Sequence, residues 1–156
     1  MYQHIMVPLD GSELSECVLP HLNMVARMLK ETGKVSLVWV ATPLRLYEGI
    51  EASLPIEERK RLEAESIKGA QDYLKKVASR LDLPHAIIET TVLFGRVIDE
   101  LKKFTRDNGV DLIIIATHGR SGISRMVIGS TADRLIRSST IPVLVIRPLK
   151  CALPQP

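Results

Sequence analysis

Two kinds of hydrophobic pattern alternate along this chain. Ile5–Leu9 (IMVPL), Val35–Ala41 (VSLVWVA), Leu112–Thr117 (LIIIAT) and Val143–Ile146 (VLVI) are short, β-branched and almost continuously apolar. Such runs read as strands buried on both faces, as in a parallel sheet. Ala86–Phe94 (AIIETTVLF) is similar but carries Glu89, Thr90 and Thr91, which suits a strand nearer a sheet edge. The other pattern is helical. Leu14, Val18, Leu22, Val25 and Leu29 recur at spacings of three and four, with Pro20 predicting a kink or a late helix start. Ile67, Ala70, Leu74, Val77 and Leu81 mark a second helix within Pro55–Leu81, with Pro55 suited to its first turn. Val97, Ile98, Leu101 and Phe104 mark a third, stopped by Asn108-Gly109, and Ala132, Leu135 and Ile136 a short fourth.

The order β-α-β-α-β-α-β-α-β predicts parallel βαβ units with right-handed crossovers. The expected fold is α/β: one doubly wound, Rossmann-like domain over residues 1–148, a five-stranded parallel sheet with helices on both faces, then a frayed tail, 149–156. Thr42–Leu54 is long for a connection and reads as a mobile or functional loop. In open parallel sheets, ligands bind beyond the carboxyl ends of the strands, where the strand order reverses. Pro8–Ser12, Val40-Ala41 and Ala116–Arg120 are expected to meet there.

Ala116–Thr131 (ATHGRSGISRMVIGST) holds the candidate chemistry. It begins where a buried strand ends and finishes where a helix begins. Gly119, Gly122 and Gly129 give permissive backbone, and Gly129-Ser130-Thr131 sits where the first helix amides lack partners, a ready phosphate site. Ser130 and Thr131 add hydroxyls, and Arg120 and Arg125 add charge. Spacing alone leaves two readings level: a phosphate cradle, or a plain turn before a helix capped by Ser130. The chain has no G-x-G-x-x-G after its first strand, no G-x-x-x-x-G-K-[ST] and no G-x-S-x-G.

Composition narrows the class. Apolar residues make up 46% and charged residues 25%, ordinary for a globular protein and wrong for disorder. No apolar run approaches the roughly 18–20 residues that span a bilayer, and no secretory leader is read at the N-terminus. Cys17 and Cys151 form no framework, so two reduced thiols in a cytoplasmic protein are expected. His4, His21 and His85 are scattered and predict no metal cluster. The net charge of +3 is too small to imply nucleic acid, but it is localised: Gly119–Lys150 holds Arg120, Arg125, Arg134, Arg137, Arg147 and Lys150 against Asp133 alone. Only Arg120 and Arg125 stand where a phosphate is expected. The mixed charges from Glu57 to Glu65 read as a solvated helix face, Arg134 and Arg137 as solvent-exposed, Trp39 as core, and Asp10 as the head of an Asx turn compatible with ligand contact.

From IMVPLDGSELSE through ATHGRSGISRMVIGSTADRLIRSSTIPVLVIRP the chain resembles the universal stress proteins, specifically their ATP-binding subgroup. The family pattern is Gly, two residues, Gly, nine residues, then Gly followed by Ser or Thr. Here Gly119 is the second Gly, Arg120–Ile128 are the nine, Gly129-Ser130 closes the motif, and Ala116 replaces the first Gly. The resemblance implies that Pro8, Leu9 and Asp10 lie at the adenosine end, Asp10 hydrogen-bonding the nucleoside. Val40 would offer backbone groups to adenine. Gly119, Arg120, Gly129, Ser130 and Thr131 would hold the phosphates, with His118 beside them. It also implies a homodimer through the last strand, Val143–Ile146.

The expected function is a cytoplasmic, ATP-binding universal stress protein acting in stress response as a nucleotide-dependent switch or interaction module. ATP is the expected ligand, with Mg²⁺ bridging its phosphates as the metal this reading admits. Neither nucleic acid nor membrane is an expected partner. A slow ATPase or phosphotransfer enzyme is the alternative, for which Asp10 or His118 would have to act as the base. A dimeric interaction protein without nucleotide is the third reading.

Overall fold

A computed structural model of the chain describes residues 2–43, 55–117 and 130–147. Ten elements follow in order: β1 (Tyr2–Pro8), α1 (Glu13–Glu16), α2 (Leu19–Ala26), β2 (Leu29–Ala41), α3 (Ile56–Ala78), β3 (Ala86–Phe94), α4 (Val97–Asp107), β4 (Leu112–Ala116), α5 (Ser130–Ser138) and β5 (Val143–Ile146). Every strand pairing is parallel, and the sheet runs β3-β2-β1-β4-β5. The expected doubly wound α/β fold is therefore the observed one.

Strand alternation sorts the core into two layers. Ile5, Val7, Leu9, Val35, Leu37, Leu112, Ile114 and Ala116 face one way, with Val18 after α1, Leu22 of α2 and Leu74 and Val77 of α3. Met6, Val38, Ile113 and Ile115 face the other way, toward Leu101 of α4 and Ala132 and Leu135 of α5. Continuous apolar runs were the right sign of covered strands for β1, β2 and β4, whereas β5, read from its run as buried on both faces, is an edge strand with Leu144 36% exposed. β3, the run with interspersed polar residues, is an edge strand, with Ile87 56% exposed and Glu89 paired to Lys34 at 3.1 Å.

The first helical stripe meets expectation at Pro20 and departs from it at its end. The helix breaks between α1 and α2, and Pro20 sits at the start of α2, where its missing N–H removes no bond. The helix ends at Ala26, and Leu29 opens β2 opposite Tyr2, six residues earlier than the Val35 start that the sequence predicts. Leu29 is buried in the core on that strand, so its apolar character fitted either element. Five helices are thus described where the pattern predicted four. Pro55 caps α3 from outside rather than lying in its first turn, and Ile136 is 43% exposed rather than on the buried stripe of α5.

The predicted stop of α4 is well formed. Asn108 is its C-cap, Gly109 follows at φ +63°, and the Val110 N–H donates to the Thr105 carbonyl at 3.0 Å, closing the turn as a Schellman motif. The loop read at Thr42–Leu54 beyond Pro43, the tail 149–156 with Cys151, and the motif residues His118, Gly119, Arg120, Gly122, Arg125 and Gly129 lie outside the described residues.

Candidate functional site at the strand switch point

β1 connects onward to its neighbour β2 on one side, while β4 and β5 lie on the other. The reversal between β1 and β4 leaves a crevice at their carboxyl ends. Pro8 is the last residue of β1, and the Leu9 N–H donates to the Val38 carbonyl at 2.9 Å, tying the exit of β1 to β2. Leu9 is buried, and Asp10 beyond it is exposed. Pro8 is level with Val38, so the same register carried two residues further brings Asp10 level with Val40. Val38 turns its carbonyl toward β1. With the two-residue period of a strand, Val40 turns its N–H and C=O the same way, past the last β1 partner. That is a backbone edge facing the crevice.

On the far side, Ala116 ends β4 and is 2% exposed. Its methyl packs in the core layer shared with α1 and α2, so the Ala that replaces the motif's first Gly is accommodated. Thr117 follows, held by its N–H to the Ile146 carbonyl at 2.9 Å. Ser130 and Thr131 are the first two residues of α5, Ser130 exposed and Thr131 half-buried. α5 runs back between two parallel strands, so its amino end lies at the same sheet edge as Asp10 and Ala116. Asp133 in its first turn is engaged by Arg137, whose Nε reaches both carboxylate oxygens at 3.0 Å. Arg134 and Arg137 are solvent-exposed, as their spacing predicts.

The Asp10 loop is built by short hydrogen bonds. Asp10 Oδ1 accepts from the Ser12 N–H at 3.0 Å and the Ser12 hydroxyl at 2.6 Å, the expected Asx turn. Ser12 caps α1 by accepting the Ser15 N–H at 3.1 Å, and the Ser15 hydroxyl donates back to the Ser12 carbonyl at 2.8 Å. Gly11 turns the chain at φ +77°. A Cβ there would lie 2.8 Å from the Trp39 ring, so only glycine closes this turn over the indole.

Trp39 is half-buried rather than fully core. Its indole meets the Tyr73 ring edge-on at 5.4 Å and 69°. The Tyr73 hydroxyl donates to Glu16 Oε1 at 3.0 Å, and Arg80 Nη2 donates to Glu16 Oε2 at 2.8 Å. Burial, then the Glu16 charge and hydrogen bond, push the Tyr73 hydroxyl far above its ordinary pKa of 10.0, with the Asp10 charge adding to the rise. Nothing in the sequence marked this cluster, since Glu16 and Tyr73 are 57 residues apart.

Among the described residues, no three His, Cys, Asp or Glu side chains gather as a metal site, and no helix is long and apolar enough to cross a membrane.

A parallel sheet in the order 3-2-1-4-5, with a polar loop and a helix amino end at its switch point, defines a doubly wound, Rossmann-like α/β protein. The chain belongs to the Universal stress protein family, whose model matches residues 1–147. Universal stress protein MJ0531 of Methanocaldococcus jannaschii is 30% identical over 94% of this chain and 83% of its own length. The solved structure of MJ0577, from the same organism, superposes with a TM-score of 0.78 at 27% identity, covering 95% of this chain and 97% of that one. Two more distant structures hold ligands. One is a universal stress protein in complex with cAMP (TM-score 0.62, 21% identity, covering 94% and 97% of the two chains). The other is a family protein of Arabidopsis thaliana with AMP bound (TM-score 0.60, 12% identity, covering 93% and 91%).

Proposed function

We propose that this chain is an adenine-nucleotide-binding universal stress protein of the cytoplasm, in which nucleotide occupancy biases shape or partner choice in the stress response. The observation that carries this reading is the row across the switch point. Asp10, the β1-facing backbone of the half-buried Val40 and the amino end of α5 stand at one rim of the sheet. They fit the three parts of a nucleotide: a carboxylate accepts ribose hydroxyls, a strand edge meets the edge of a base, and helix amides receive phosphate. The AMP and cAMP held by the two family structures agree with that class of ligand.

In this reading Pro8, Leu9 and Asp10 border the nucleoside, and Val40 presents backbone groups to adenine. Ala116 with His118, Gly119, Arg120, Gly129, Ser130 and Thr131 surrounds the phosphates. ATP is the ligand, with Mg²⁺ bridging its phosphates. Residues 1–148 form the domain and 149–156 a tail.

The test is mass spectrometry of nucleotide carried through purification, joined to thermal melts with added ATP. We expect an ATP-induced rise in Tm that Gly129→Val abolishes, because a branched side chain intrudes on the phosphate amides. An unchanged rise in the variant removes this phosphate site.

β5 is the proposed dimer strand. Among the described residues it pairs with β4 on one side only and leaves Leu144 36% exposed, an edge that a second copy would cover. A monomer by sedimentation at micromolar concentration removes the dimer from the reading.

A further inference from the structure

Three contacts around the Asp10 loop form a closed ring of support. Trp39 on β2 lies directly beneath the Gly11 turn. Tyr73 on α3 stands edge-on against Trp39. The Tyr73 hydroxyl reaches Glu16 on α1, the helix capped by the same Ser12 that binds Asp10. Arg80, just past the end of α3, fixes the second Glu16 oxygen. Loop, α1, α3 and β2 therefore brace one another, and the loop's one left-handed residue touches the brace.

α1 has only four residues, too short to hold its own geometry. The Asp10 turn is exposed and stands on that helix. The position of its carboxylate must come from what lies below it, and what lies below it is aromatic and rigid. Rigid support counts most where a ligand reads a single carboxylate, because a preformed site spares the ordering cost at the moment of binding.

Resting on the nucleotide reading above, we propose that Trp39 and Tyr73 are the positioning residues of its nucleoside end. Trp39 props the Asp10-Gly11 turn, and Tyr73, clamped through Glu16 to Arg80, holds Trp39 and α1 in place. Neither residue needs to touch the ligand.

The experiment is calorimetric titration of AMP and of ATP into the full chain at 25 °C, for wild type, Trp39→Phe and Tyr73→Phe, each shown by its melt to be fully folded at that temperature. Trp39→Phe leaves a gap under Gly11 and is expected to weaken AMP and ATP by the same factor, about tenfold. Tyr73→Phe keeps the ring contact and loses the hydroxyl's bonds, that to Glu16 foremost, so a loss of about threefold is expected. A residue serving only stability lowers Tm and leaves the affinity of the folded protein unchanged. Unchanged affinity in folded Trp39→Phe overturns the role of Trp39, and in folded Tyr73→Phe that of Tyr73. Wild type that binds neither nucleotide overturns the functional reading, and this inference with it.

Discussion

The two ends of β1 use polar residues in opposite ways. At the amino end, His4 is 5% exposed and Ser36 beside it is fully buried. The His4 ring has a partner at each nitrogen: Nδ1 at 2.9 Å from the Asn108 carbonyl and Nε2 at 2.7 Å from the Ser36 hydroxyl. A carbonyl only accepts, so Nδ1 carries a proton, and in the neutral ring Nε2 accepts from Ser36. Asp111 accepts the Gln3 and His4 N–H groups at 2.7 and 3.0 Å. These groups tie the end of α4 and the start of β4 to the sheet. At the carboxyl end, Asp10 and Ser130 are exposed, and Val40 lies beyond the last residue of β2 that pairs with β1. Polar groups that are buried and fully paired hold the fold, while those raised on a braced turn at the switch point are placed to meet something from outside. Histidine beside aspartate is the more familiar sign of chemistry, yet here it marks the structural end.

The contrast is broken most sharply by a pair of variants. His4→Ala empties a buried ring volume and leaves the Asn108 carbonyl and Ser36 hydroxyl without their partner. The expected cost is about 3 kcal/mol, a fall in Tm of roughly 10 °C by calorimetry, with nucleotide affinity of the folded protein unchanged. Asp10→Ala should do the reverse. It removes an exposed turn contact, so Tm should move by only a few degrees, while AMP and ATP affinity measured by titration should drop roughly tenfold. If His4→Ala weakens nucleotide binding while Tm holds, or Asp10→Ala unfolds the chain, the two ends have been assigned the wrong way round.

The layers of the fold were legible because burial leaves a periodic trace. Continuous apolar runs stood for β1, β4 and β5, interspersed polar residues marked β3 as an edge, and Asn108-Gly109 gave the end of α4 from turn chemistry alone. The boundary at Leu29 was not legible, since a leucine buried on a strand and one buried on a helix look alike in sequence. The site was legible in part. Asp10, Gly11 and Ser12 are neighbours in the chain, so their turn chemistry is local. The alignment of Asp10 with Val40 depends on strand register, and the meeting of Glu16 with Tyr73 and Arg80 on the packing of α3 against α1. Long-range pairs leave no period and no motif. His4 was read as one of several scattered histidines for the same reason, because its partners come from β2 and the end of α4.

The smallest expected effect sharpens the contrast from the carboxyl end, through the alkaline limit of stability. Tyr73 is held protonated in the folded chain by burial and by Glu16, with its pKa raised above the ordinary 10.0, the value it regains on unfolding. Below pH 10 the phenol is neutral in both states, and its contribution to stability is fully present. Above pH 10 the unfolded chain ionises while the folded chain still resists, so stability is lost as pH rises toward the folded-state value. The brace should therefore contribute less to stability in alkali, whereas its contribution is intact through the neutral range. Denaturant melts of wild type and Tyr73→Phe between pH 8 and 11 are the measurement. Wild type should lose about 1 kcal/mol more than the variant across the upper part of that range, a figure discounted because the ring is only half-buried. Parallel pH profiles for the two proteins would show that the Tyr73–Glu16 contact carries no such weight.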